Sequence, residues 1–160
     1  MRDKMILLEF KGFNYYYYLR KILKKILSFI IIMNSVLYTA YNTLAVKFNE
    51  ELIEVFPKDI DFKVSLNTIK LIEKTTKRKL FDIVSPQLLM YHEYIRNRDE
   101  RFFLEKDEAE YTVDTESVPI ISKLKGYWGT LSENNKDKIW EYVNSLLTLT
   151  QKIVTATGGK

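Results

Sequence analysis

Residues 35–56 read SVLYTAYNTLAVKFNEELIEVF, and within them Leu37, Tyr41, Leu44, Phe48, Leu52 and Val55 recur at spacings of four, three, four, four and three. Residues three and four apart lie on the same side of a helix, so this spacing builds one apolar face. The other face carries Asn42, Thr43, Lys47, Asn49, Glu50, Glu51 and Glu54. Pro57 supplies the stop, because a proline pushes the residue before it out of helical geometry. The stretch predicts a long amphipathic helix and, with it, an all-α fold.

Downstream the same reasoning predicts further helices. The turn Pro57-Lys58-Asp59 leads to a helix capped by Asp59 or Asp61, running to about Thr76 with Phe62, Leu66, Ile69 and Ile72 inward. The basic group Lys74, Lys77, Arg78 and Lys79 falls where that helix ends and offsets its dipole. A third helix spans about Leu80 to Ile95, with Leu80, Val84, Leu88, Tyr91 and Ile95 on one stripe. Pro86 divides it, and the sequence favours a fresh start with Ser85 as N-cap and Pro86 in the first turn. Asn97 to Lys106 predicts a short helix packing Phe102, Phe103 and Leu104; residues 105–117, with six carboxylates and no apolar period, predict an exposed acidic loop. A fourth main helix starts near Val118-Pro119, uses Ile120, Ile121, Leu124 and Trp128, and ends at Gly126 to Gly129. Ser132 caps the last helix, whose stripe is Ile139, Trp140, Val143, Leu146, Leu147, Thr150 and Ile153, and the tail from Thr155 to Lys160 frays. The expected architecture is a single all-α domain over residues 33–160, an irregular bundle of four to five main helices. Residues 1–32 stand before it as a poorly structured or extra segment.

Composition agrees. An apolar share of 46% and a charged share of 29% over 160 residues suit one folded domain with a core, and five Gly and three Pro are too few for the many turns of a β-sandwich. There is no Cys, which excludes disulfides, thiolate metal sites and Cys nucleophiles and fits a reducing compartment. The net charge of +4 is unevenly spread: residues 1–32 hold seven of the 25 basic and two of the 21 acidic residues, so residues 33–160 carry a net −1. Nucleic acid is therefore not the expected partner of the folded part.

The segment Phe10 to Asn34, FKGFNYYYYLRKILKKILSFIIIMN, draws 19 of its 25 residues from Phe, Tyr, Met, Ile, Asn and Lys, the residues of AT-rich codons. Tyr15 to Tyr18 and Ile30 to Ile32 follow neither a helical nor a strand period. One reading is translated upstream sequence, with the natural start at Met33. Another is a membrane anchor within residues 10–38, since Arg20, Lys21, Lys24 and Lys25 precede the apolar stretch Ile26 to Met33, although Asn34 interrupts that run short of the ~20 residues a span requires. A third is a surface helix, because LRKILKKIL places Leu19, Ile22, Leu23, Ile26 and Leu27 on one face and the basic residues on the other.

Catalytic signatures are missing. His92 is the single histidine, so multi-histidine metal sites and paired Glu-x-x-His arrangements cannot form. As a general base His92 would need an orienting acid, and Glu93, its neighbour on a helix, points elsewhere. The acidic loop has no glycine at the sharp turn an EF-hand needs. The pairs Asp99-Glu100 and Asp107-Glu108 diverge by about 100° on a helix, which leaves a surface ion-pair network with Arg96, Arg98 and Arg101 as the simpler account. No phosphate-binding loop, dinucleotide pattern or nucleophile elbow is present, and no cofactor is expected. Trp128 and Trp140, with Tyr127 and the pair Phe102 and Phe103, are core residues or, alternatively, anchors for a protein partner.

The pieces FPKDIDF (Phe56–Phe62), YIRNRDERFFLEKD (Tyr94–Asp107) and LKGYWGTLSENNKDKIWEYVNSLLTL (Leu124–Leu149) resemble a pattern in small helical proteins of nucleocytoplasmic large DNA viruses, the giant viruses. The resemblance implies no activity, so no catalytic residue is carried over. It implies a viral protein in the cytoplasm of an infected host cell or in the virion, or at a membrane if the N-terminal segment is an anchor. Three functions follow as expectations: a non-enzymatic protein that binds a protein partner or itself, a membrane-associated protein held by residues 10–38, and an enzyme or metal-binding protein using the acidic loop and His92.

Overall fold

The computed structural model describes residues 2–104 and 120–158, without the side chains of residues 2–14, 121 and 122. Among the described residues there are seven α-helices and no strand. They are α1 (Arg2–Val55), α2 (Ile60–Thr75), α3 (Lys79–Met90), α4 (His92–Arg96), α5 (Arg101–Leu104), α6 (Ile120–Tyr127) and α7 (Glu133–Thr157), with a 3₁₀ turn at Trp128–Thr130 before α7. The fold is all-α, and α1, α2, α3, α6 and α7 are its substantial helices. The acidic loop expected at 105–117 lies outside the described residues. The chain divides into two compact units, Met1–Val36 and Leu37–Lys160.

In the second unit, residues 37–55 of α1 carry much of the core. Tyr41 and Leu52 are fully buried and Phe48 nearly so, as the apolar spacing requires. Tyr38 and Tyr41 meet Phe81 of α3 edge-on at 5.5 Å, and Phe48 stacks on Tyr142 of α7 at 5.3 Å. The buried arc is wider than the single stripe: Asn42 and Asn49, expected outside, are both buried completely. They sit seven residues apart on the Tyr38–Ala45 side, and each finds a partner. Asn42 Nδ2 donates to the Lys77 carbonyl at 3.1 Å, and Asn49 Nδ2 donates to Ser65 Oγ at 2.7 Å. A buried amide is tolerated where its donors are used.

Asp59 caps α2 by accepting from the Asp61 N–H at 2.9 Å, and Phe62, Ser65, Ile69 and Ile72 face inward while Leu66 is only half-buried. The expected break at Ser85-Pro86 is absent: α3 runs through Pro86. Leu80 and Phe81 before the proline and Leu88 after it are all buried, and this packing outweighs a proline that leaves one carbonyl without its helical donor. The helix ends at Tyr91 instead. After α4, Arg98 adopts φ 50°, and the Asp99 N–H donates to the Tyr94 carbonyl at 2.9 Å, a left-handed C-terminal closure. The helix expected from Asn97 therefore starts only at Arg101, and Leu104 stays exposed while Phe102 and Phe103 are buried. Ser132 caps α7 through the Asn135 N–H, and all seven expected stripe residues are buried. The tail does not fray where expected, since α7 continues to Thr157 and closes on Gly158, whose φ of 68° suits glycine.

Candidate functional site

Of the five aromatic residues read as core or as possible partner anchors, four are buried and Tyr127 is half-buried. Trp128, Trp140, Phe102 and Phe103 are at most 3% exposed. Phe103 stacks on Trp128 at 4.0 Å, and Trp140 packs against Phe103 at 5.0 Å and Trp128 at 5.6 Å. They close the junction of α5, the 3₁₀ turn and α7, because aromatic rings this large stabilise most when withdrawn from water on both faces. Lys136 Nζ lies over the Trp128 ring at 5.7 Å and also bonds Glu100 at 3.1 Å.

Tyr127, the fifth, is half-buried and structural. Its ring stacks on Phe56 at 4.4 Å, and its hydroxyl donates to Asp59 Oδ2 at 2.8 Å. Lys123 bonds both Asp59 and Asp61. The Tyr127 hydroxyl, followed by the Asp61 N–H and Lys123, holds the Asp59 carboxyl below the usual carboxylate range against the opposing effect of burial. This clamp ties the α2 N-cap to α6. Nothing in the sequence signals it, because its members lie 64 and 68 residues apart.

The expected acid–base or metal site paired His92 with the acidic loop, which lies outside the described residues. His92 is partly exposed; its Nδ1 lies 2.8 Å from the Leu89 carbonyl and its Nε2 lies 3.0 Å from Glu93 Oε1. Glu93 thus curls back to His92 rather than pointing elsewhere, both are partly exposed, and among the described residues no nucleophile is bonded to the pair. Of the acidic pair Asp99-Glu100, Asp99 binds Arg101 and Glu100 binds Lys136, while Arg98 binds Asp137 and Arg96 reaches Gln151. Of the ion pairs expected there, Arg101 with Asp99 forms; the other three side chains turn to α7, and Asp107 and Glu108 lie outside the described residues. No group of three His, Asp or Glu side chains gathers to hold a metal among the described residues. A recess of about 300 Å³ is lined by Leu44, Glu51, Lys138, Glu141, Tyr142 and Ser145, but Glu51 is already paired with Lys138.

The unusual surface is in the first unit. Its residues are helical from Arg2, so the segment without a period is regular all the same. Tyr15, Tyr16, Tyr17 and Tyr18 are each well exposed. Beyond the basic residues, Ile26, Leu27, Phe29, Ile30, Ile31, Ile32, Met33 and Val36 are between 36% and 67% exposed. Successive helical residues turn by about 100°, so Ile30, Ile31 and Ile32 alone cover most of the circumference. Here α1 is apolar on nearly every side, broken only by Ser28, Asn34 and Ser35. The helix contains a stretch long and apolar enough, by length and composition, to cross a membrane. No family model, curated protein or solved structure matches the chain.

Proposed function

We propose that this protein is a non-enzymatic helical module attached to a membrane by the helix over residues 15–36. The observation that carries the reading is the exposure of apolar side chains on all sides of Ile26–Val36. A helix apolar all round needs an apolar surrounding, whereas a groove on one protein partner would cover only one face. At ~2 kcal/mol for a whole side chain, the eight residues, each about half exposed, represent ~8 kcal/mol of gross transfer free energy. The exposed apolar length is 11 residues, ~16 Å of helix, against a hydrocarbon core of ~30 Å. Tyr38, Tyr41 and Ala45 are already in the core of the second unit. The proposed attachment therefore enters one leaflet rather than crossing the bilayer. If the resemblance to giant-virus proteins holds, the proposed membrane is one of an infected cell or a virion. The test is co-sedimentation of the full chain with phospholipid vesicles: wild type pellets with them, and the Ile30→Asp, Ile31→Asp double variant stays in the supernatant. A wild-type chain that remains soluble beside vesicles refutes the reading.

A second reading, self-association, is favoured by a separate observation. Leu19, Ile22, Ile26, Phe29, Met33 and Val36 follow a three-four-three-four-three spacing, that of a coiled-coil seam. Sedimentation equilibrium without lipid decides it, since a monomer at micromolar concentration removes that seam from consideration.

A further inference from the structure

We infer that the same helix selects anionic phospholipids, through the band formed by Arg20, Lys21, Lys24 and Lys25; the inference rests on the membrane reading above. All four side chains are exposed, and no carboxylate among the described residues pairs with any of them. From Phe10 to Asn49 the chain contains no Asp or Glu at all, so helix neighbours cannot supply the counter-charge. Arg20 with Lys24, and Lys21 with Lys25, are four residues apart, a spacing at which like charges repel along a helix. The arrangement becomes favourable when anions from outside the chain lie against it.

Position within the helix identifies those anions. The band occupies six residues, ~8 Å along the axis, and ends abruptly where the uncharged run starts at Ile26. Leu19, Ile22, Leu23 and Ile26 lie on the opposite side of the helix from the four charges. A helix embedded by its apolar residues therefore keeps the charges at headgroup depth, where the layer on each side of the hydrocarbon core is ~5–8 Å thick. Exposed Tyr15 to Tyr18 lie one residue before the band, and tyrosine is a favoured residue at that depth. Nucleic acid would satisfy the charges but leave Ile26 to Val36 in water.

The experiment measures binding of the full chain to vesicles of pure phosphatidylcholine and to vesicles with about one third phosphatidylserine at ~0.1 M salt. A basic residue near an anionic surface contributes about fivefold in partitioning, so four predict a preference of ~10² to 10³-fold for the anionic vesicles, declining as salt is raised. The variant Arg20→Gln, Lys21→Gln, Lys24→Gln, Lys25→Gln should bind both vesicles as wild type binds the neutral one, with unchanged helix content by circular dichroism. Exchanging Lys for Arg at the three lysines should retain the preference. Equal wild-type binding to both vesicles overturns the lipid selection while leaving the membrane reading intact, and binding to neither overturns both. A preference that survives in the four-fold variant, or displacement from vesicles by single-stranded RNA at matched charge, also overturns it.

Discussion

Replacing Trp140 by alanine separates a core role from a partner-anchoring one. The indole is 3% exposed and packs against Phe102, Phe103 and Trp128 with ring separations of 6.3, 5.0 and 5.6 Å. Truncating a buried Trp to Ala removes its transfer free energy and leaves a cavity that rings held on two other elements cannot fill, a loss of ~3–5 kcal/mol. A folded unit the size of Leu37–Lys160 has ~6–19 kcal/mol of total stability, so the loss is a large part of the whole. With a urea slope of ~2 kcal/mol/M, the unfolding midpoint falls by ~1.5–2.5 M. Urea titrations followed by far-UV circular dichroism and by fluorescence of the remaining Trp128 measure it. An exposed anchor would cost less than ~0.5 kcal/mol, or about 0.3 M. A variant midpoint within ~0.3 M of wild type, at unchanged slope, would therefore refute the buried aromatic cluster.

Three further outcomes follow from the second unit. Asn49→Ala leaves the fully buried Ser65 hydroxyl without its 2.7 Å partner and should destabilise by ~1–3 kcal/mol in the same titration; a neutral result would mean that water replaces the amide. Pro86→Ala, at an exposed position inside α3, restores an N–H for the Asp82 carbonyl and should raise stability by ~1–2 kcal/mol, whereas a lower midpoint would show that the helix depends on the proline. Stability should fall at both pH extremes. Asp59, held low by the Tyr127 hydroxyl, contributes stability that is complete above the unfolded carboxylate value near ~4 and lost as pH falls below it. Tyr41 is pushed up by burial, so the unfolded chain ionises it near ~10 while the folded chain resists, and stability declines as pH rises beyond ~10. Thermal melts of wild type, Asp59→Asn and Tyr41→Phe across pH check both limbs: each variant should lessen its own limb, and because Tyr127 is itself raised chiefly by its bond to Asp59, only Tyr41→Phe should leave the opposite limb unchanged.

The helices that meet water on one side and the core on the other were legible from spacing alone. Ile139 to Ile153 and Leu37 to Val55 show it, as do the caps Asp59 and Ser132, whose side chains need only a local N–H. Features set by distant contacts were not. Asn42 and Asn49 look like surface residues until Lys77 and Ser65 arrive opposite them, and Pro86 looks like a helix start until Phe81 and Leu88 are seen buried on either side. Tyr127 shows no sign in the sequence that it reaches Asp59.

The helix before Val36 poses a different problem. Hydrophobic periodicity detects a helix only when its two faces meet two different environments, because the period records the alternation between them. Ile30, Ile31 and Ile32 fill the positions between Phe29 and Met33 with further exposed apolar side chains, so the three-four spacing there is not set off by polar residues as a face. The change at Leu37, from a spacing masked by apolar neighbours to a clean one, is therefore not a change of backbone conformation. It marks where α1 stops being apolar all round and becomes the two-faced helix of the folded unit, the same place at which the chain divides into its two compact units.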